Sequence, residues 1–506
     1  MKQREVNNNK YLAPMIALIL ALFLWLFWDS FRSGSINMSE NTSRNETFSR
    51  QKIYYGPRNS IAVLPFRSGS AAEDQLVLSE GFSADLLKLL TRVEELQVTA
   101  RTSSFFFRDE TLPVRLIGER LQSSHLLKGE IAQREGRLFV EARLFKTRDN
   151  EELWFQSYER ELDGVFDIQA DILASVLEVM KISYQGELPR VKVTVLDAWE
   201  KYLRGEFYRH QRSAEALQNA EEVFEAVLEW APDYGPALYG LAETRFALQH
   251  AGSASAAGLG AARMTLDSAM ELSPETPELW GLLSFVRHKF DWDWSGAEQA
   301  ARHAVDLNPG DAVLMNIASL ALFTVGGFEE AERMLKASIK RDPLNLSIRL
   351  RLGLLYEFMS EYEQSLAVYR QVAALNPQYP AVYAYRARVK MLQEKPDSAL
   401  LESDKETDEF WRNYSRLLAL SMLEREDEAE KLLEIMVADH GQDAAFQIAE
   451  VLAFRGETDL AFEWLQRARE QRDGGLAEVI GNHFLENLHA DPRWPELMES
   501  LGHQLD

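Results

Sequence analysis

The chain has 506 residues, 46% hydrophobic and 26% charged, which is length for about three folded units and too apolar for a disordered chain. A formal charge of −24 argues against a protein that wraps a polyphosphate backbone, so no nucleic-acid partner is expected. Cysteine is absent, which excludes disulfides, thiol nucleophiles, iron–sulfur clusters and cysteine zinc sites together.

The first element is Tyr11 to Trp28, eighteen residues without a charge. At ~1.5 Å per residue the run covers about 27 Å, close to the hydrocarbon thickness of a bilayer. Trp25, Phe27 and Trp28 collect at its far end, where amphipathic rings favour the interface. Its bulky ending lacks the small residues of a cleavage site, so it predicts an uncleaved membrane helix over 11–28. Lys2, Arg4 and Lys10 precede it, which keeps residues 1–10 in the cytoplasm and exports everything that follows. The polar stretch 29–57 reads as a linker.

Residues 58–185 mix strand and helix patterns. SIAVLPF from Ser60 is a buried strand closed by a proline, and Ser79 to Val93 puts Phe82, Leu86, Leu89, Leu90 and Val93 on one helical face. Leu96 to Arg101 predicts a second strand, and Pro113 to Leu121 a helix with proline at its start. HLLKGEIAQ and RLFVEARLF alternate with period two around the turn Arg134-Glu135-Gly136, which predicts a hairpin. ELWFQSYERE extends the sheet and Asp163 to Ile182 closes the unit as an amphipathic helix. The expectation is an α/β domain.

From residue 195 to 470 the chain is periodic. Pro232, Pro274, Pro309, Pro343 and Pro377 each follow an apolar helix, the last three spaced at the 34-residue tetratricopeptide period. The clearest copy has Leu352, Gly353 and Tyr356, then Ser365, Tyr369 and Pro377. The copy before it has Ala318, Ser319 and Leu322, then Ala331, Leu335 and Pro343. Weaker copies centre on Ala399, Ala429 and Ala461, an insertion is expected near Gln211, and AGSASAAGLGAA lengthens the second copy. Eight helix pairs are expected, with residues 471–506 as a C-terminal cap. Nearly all the acidic excess falls in this part, which would steer a basic protein or peptide toward it.

The segments SIAVLPF, EGFSADLLKLL, VTARTSSFFF, VRLIGERLQSSHLLKGEI and YERELDGVFDIQADI resemble the TolB-like N-terminal domain family, which precedes tetratricopeptide arrays in bacterial membrane proteins. The resemblance, extended over the array, implies a fold of α/β domain followed by an all-α tetratricopeptide solenoid, with one N-terminal transmembrane helix. It implies a bacterial inner-membrane, single-pass protein with its bulk in the periplasm. In that family the region follows a cytoplasmic adenylate cyclase or winged-helix domain. Ten residues precede the membrane run here, so no such output domain is expected.

Chemistry is hard to find. GxxxxGK[ST], HExxH and GxSxG are all absent, and His483 and His489 are badly spaced for two ligands on one helical face. Asp291-Trp292-Asp293-Trp294 offers two carboxylates with no third acid before Glu298, a poor hard-cation site, and is read as a turn between helices. No cofactor, metal or catalytic residue is expected.

The first helix of each pair lines the concave face in such arrays. The register above places Asn316, Leu320 and Phe323, then Leu350, Leu354 and Glu357, then Arg388 and Met391, along a peptide-binding groove. The expected function is a membrane-anchored periplasmic scaffold for other proteins or peptides. The alternative is a sensory subunit that relays an external signal through its membrane helix to a separate cytoplasmic regulator.

Overall fold

The computed structural model describes residues 56–108, 111–184, 196–250 and 256–503. The expected membrane helix at 11–28, the terminus before it and the linker at 29–55 lie outside them. Among the described residues no helix is long and apolar enough to cross a membrane.

Six strands form one mixed sheet: β1 (Ser60–Val63), β2 (Arg67–Ser68), β3 (Gln97–Val98), β4 (His125–Arg134), β5 (Arg137–Lys146) and β6 (Glu151–Glu161). Their order is β3-β1-β4-β5-β6, with β2 prolonging the line of β1 against β4. Every residue of β1 is buried: Ser60 donates its hydroxyl to the Pro57 carbonyl at 2.6 Å, and the apolar run that follows it needs cover on both faces. β3, β1 and β4 are parallel, and β4, β5 and β6 form an antiparallel meander. Glu135 and Gly136 both take positive φ at the β4–β5 turn, the tight geometry that matches strand twist.

Helices α1 (Glu73–Thr91), α2 (Arg101–Phe105), α3 (Val114–Leu121) and α4 (Val165–Met180) flank the sheet. α1 and α4 cover one face with Phe82, Leu86, Ile168 and Ile172. α3 and the turn after α2 cover the β1 end of the other with Phe107, Ile117 and Leu121. α1 starts six residues before the expected Ser79, with Glu73 and Asp74 in a first turn that favours acids. The strand expected over Leu96–Arg101 shrinks to two residues. Its backbone leaves the sheet at Ala100, whose N–H donates instead to the Arg341 carbonyl at 2.7 Å.

Sixteen helices follow as eight hairpin pairs. The first three are α5 (Leu196–Gln211) with α6 (Ala214–Trp230), α7 (Gly235–His250) with α8 (Ala256–Leu272), and α9 (Pro277–Val286) with α10 (Trp294–Leu307). Next come α11 (Ala312–Thr324) with α12 (Phe328–Arg341), α13 (Leu346–Phe358) with α14 (Tyr362–Leu375), and α15 (Val382–Leu392) with α16 (Pro396–Ser403). The last two are α17 (Glu409–Met422) with α18 (Glu426–His440), and α19 (Ala445–Phe454) with α20 (Thr458–Gln471). No insertion loop exists at Gln211. Arg212 turns the chain in a left-handed conformation, and Ser213 caps α6 by accepting from Ala216 N–H. The extra length of the first copies is carried instead by helices of sixteen and seventeen residues.

The expected boundary at 185–195 does not divide the core. Trp199, Tyr202 and Leu203 of α5 pack in the same cluster as Phe82 and Leu86 of α1, and Trp199 Nε1 donates to Asp85 Oδ2 at 2.8 Å. The domain then runs along the proline turns between pairs. Gly310 lies against the Thr91 carbonyl, and Thr102 and Ser103 donate to Asp342 Oδ1 at 2.7 and 2.6 Å. The carbonyls of Lys340 and Arg341, unpaired in their own helix end, accept from Gln97 Nε2 and Ala100 N–H.

Small residues set how closely a pair approaches. Gly353 faces the Tyr369 ring across the fifth pair, and an added Cβ would penetrate that ring. Its carbonyl also accepts from buried Ser365 Oγ at 2.7 Å, so the backbone has no room to retreat. Gly353→Ala should therefore lower unfolding free energy by about 1–3 kcal/mol, and Gly353→Leu by more. Urea titration checks this, and an unchanged midpoint in both variants would contradict the packing described.

Candidate functional site

The first helices of the last four pairs bring polar groups to one point on the concave face. Arg388 Nε donates to Glu357 Oε1 at 2.9 Å and Nη1 to Glu450 Oε1 at 2.9 Å. Nη1 also reaches the Tyr414 hydroxyl, which donates to Glu450 Oε2 at 3.1 Å. All four residues are buried. Burial works against the Arg388 charge, but Glu357, Tyr414 and Glu450 raise its pKa well above the usual value. Burial pushes Glu357 up.

The C-terminal residues do not simply stack as another cap helix. They cross the concave face as two 3₁₀ turns, Gly474–Glu478 and His483–Leu488, and end in α21 (Arg493–Ser500). Asp473 fixes the start by accepting from Phe446 N–H and Gly475 N–H, each at 2.9 Å. Asn482 Nδ2 donates to Glu450 Oε1 at 2.7 Å, and the Phe484 ring lies 4.5 Å from the Arg388 guanidinium. At the far end the His503 ring sits 4.3 Å from that of Trp294, the first residue of α10. The segment thus spans from the eighth pair back to the third.

This strap corrects the expected groove. Glu357 and Arg388 belong to the buried network, and Met391 is core. Asn316 is half-buried and accepts from Arg351 Nη1 at 2.5 Å. No open strip joins the eight expected residues. The inward faces are too apolar to stay wet, and Val479, Phe484, Leu485 and Leu488 of the strap cover them.

Four of the eight, Leu320, Phe323, Leu350 and Leu354, do meet, around a cavity of about 150 Å³ beside the strap. Phe285, Trp292, Trp294, Tyr385 and Ala477 complete its apolar wall. His288, Lys289, Arg351, Asp473 and Glu478 add ionisable groups. Burial pulls His288 down to about 3, and its Nε2 lies 2.8 Å from Thr324 Oγ1. Burial likewise pulls Arg351 down to about 10 and lowers Lys289. Burial, and then the charge of Glu450, push Glu478 up to about 8.

The aromatic pair comes from Asp291-Trp292-Asp293-Trp294. Its acids are structural: Asp291 pairs with Arg263 at 3.0 Å, and Asp293 caps α10 by accepting from Gly296 N–H. Trp292 holds a left-handed φ of 59° where a π-turn, Arg287–Asp291, ends. No group of three His, Asp or Glu side chains among the described residues could hold a metal ion. The sequence reading missed Lys289, Arg351, Asp473 and Glu478. The only local signal was the doubled tryptophan.

Removing the guanidinium would leave two buried carboxylates, Glu357 and Glu450, without their cation. Arg388→Met should cost about 3–5 kcal/mol of stability, read from urea titration at neutral pH. Glu478 makes a second prediction. Its folded pKa of about 8 exceeds the ordinary 4.5, so the native state keeps a proton that the unfolded chain releases between them. Stability should fall as pH rises through that window and level off above it. Glu478→Gln should flatten that fall in melts compared at about pH 5 and about pH 9. A variant that declines as steeply as the parent would refute the assignment.

The tetratricopeptide repeat family pattern matches residues 346–379, the fifth pair and the turn after it. One relative, "Putative adenylate cyclase 3" of Rhizobium meliloti (strain 1021), is 28% identical over 123 residues. The match covers 24% of this chain and 21% of the relative, so the chain spans about a fifth of that protein's length. Among solved structures, Pseudomonas aeruginosa pilF is similar over 43% of this chain and 96% of its own, at 18% identity and a TM-score of 0.34. A tetratricopeptide repeat protein from Parabacteroides merdae is similar over 54% of this chain and all of its own, at 12% identity and a TM-score of 0.36. The chain contains a tetratricopeptide repeat at 346–379.

Proposed function

We propose that this chain is a non-enzymatic scaffold for other proteins, anchored in a bacterial inner membrane by residues 11–28 with its folded bulk in the periplasm. The observation that carries the scaffold reading is the stack of eight helix pairs fused through one core to an α/β domain. Such a body presents surface rather than a reaction centre. Because its own strap fills much of the concave face, partners meet the outside. Trp230, Met264, Leu272, Leu401, Ile435 and Leu460 are exposed apolar residues, and all lie on second helices of their pairs. The net charge of −24 favours basic partners. The resemblance to TolB-like proteins and the uncharged N-terminal run support the membrane placement.

The sensory reading has one observation in its favour: the cavity beside the strap, with ionisable groups in its wall, offers a place for a signal molecule.

Two measurements test the proposal. A photo-crosslinker placed at Leu401 or Ile435 in native membranes should trap the same partner, and a crosslinker at buried Leu465 should not. Absence of any product from the outer positions would overturn the scaffold. Alkaline phosphatase fused after Asp506 should be active. An inactive fusion, alongside an active cytoplasmic reporter at that point, would overturn the periplasmic placement.

A further inference from the structure

We propose that the cavity between the third to sixth pairs and the strap is a binding site for a small aromatic anion, a single planar ring carrying a carboxylate. Size is the first argument. A space of about 150 Å³ is that of an apolar cavity able to take a benzene-sized ring. The wall is the second. Trp292 and Trp294 stand with ring centroids 6.1 Å apart, and Leu320, Phe323, Leu350 and Leu354 supply aliphatic and aromatic surface. Few polar groups among apolar ones is the composition of a small-molecule site.

Charge is the third argument, and it fixes the sign. Arg351 carries its guanidinium into the wall, and its hydrogen bond goes to the neutral amide oxygen of Asn316. An arginine held by a neutral acceptor in a low-dielectric wall favours an arriving carboxylate. Lys289 lines the same space. Of the two acids of the wall, Asp473 faces Lys289 and offsets that cation, which leaves Arg351 for the ligand. Both oxygens of Asp473 are engaged by the backbone N–H groups of Phe446 and Gly475. Glu478, pushed up to about 8, keeps its proton at neutral pH and can donate a hydrogen bond to an anion. Asp473, Gly474, Ala477 and Glu478 belong to the start of the strap, so a bound ring would be clasped between the repeats and the chain's own C-terminal segment.

The inference goes beyond the scaffold reading and supplies a ligand class to the sensory one. Crosslinking of partners at the outer helices does not depend on it. The test uses the full chain with benzoate as probe, benzylammonium as a cation of matching size, and tryptophan fluorescence with thermal melting as readouts. Benzoate should bind saturably with a Kd of roughly 0.1–1 mM, the range about nine heavy atoms support, and should raise the melting temperature. Arg351→Met should weaken benzoate binding at least about tenfold, the loss of one charge-assisted contact. Leu320→Trp, which fills the cavity from a half-buried position, should abolish it and remains decisive if Arg351→Met does not fold. No saturable response to benzoate, equal or tighter binding of benzylammonium, or benzoate binding unchanged in Leu320→Trp would each overturn the proposal.

Discussion

Arg388 is a full charge held away from water at the centre of the concave face, and the packing around it has to neutralise it. An isolated cation there would be prohibitively costly, so the neighbouring repeats each contribute a partner: Glu357 from α13, Tyr414 from α17 and Glu450 from α19. Glu450 has accepting capacity left after serving Arg388 and Tyr414, and Asn482 of the strap occupies it. The ring of Phe484 closes the remaining face of the guanidinium. Four helix pairs and the chain's end are therefore organised about one side chain, and the strap's course follows from where that charge lies.

The α/β domain is held by a different economy of groups. Helix ends leave carbonyls without partners, and the proline turns of the repeats place such ends along one edge of the solenoid. β3 and α2 present donors to that edge: Gln97, the Ala100 N–H, Thr102 and Ser103. The feature that punctuates the repeats thus also forms the seat of the domain. A shared core with α5 completes the union, with Trp199 and Tyr202 buried against α1.

Much of this was legible in the sequence because it is local. The prolines near residues 309, 343 and 377, Gly353 opposite Tyr369, and the period-two hairpin around Glu135-Gly136 each encode an element within about forty residues of chain. The groove was not legible. Leu350, Glu357 and Arg388 do occupy the inward register, but nothing near them announces that Asn482 and Phe484, roughly a hundred residues on, will cover them. The run from Val479 to Leu501 has the apolar spacing of any terminal cap. Its reversal across the concave face is set by partners in other repeats. The cavity was hidden for the same reason, since Trp292, Arg351 and Glu478 meet only in three dimensions.

A solenoid whose units touch only their neighbours behaves as a spring, stretching and fraying one turn at a time. This one is cinched. His503 lies on Trp294, Arg388 ties the fifth, sixth and eighth pairs, and Asp342 is pinned by Thr102 and Ser103 from the opposite end of the chain. The first and last of those closures join residues more than two hundred positions apart, so the array loses its linear compliance and gains the stiffness of a closed loop. Tension applied at His503 would peel the strap before any repeat yields, which makes residues 474–503 the mechanical fuse of the molecule.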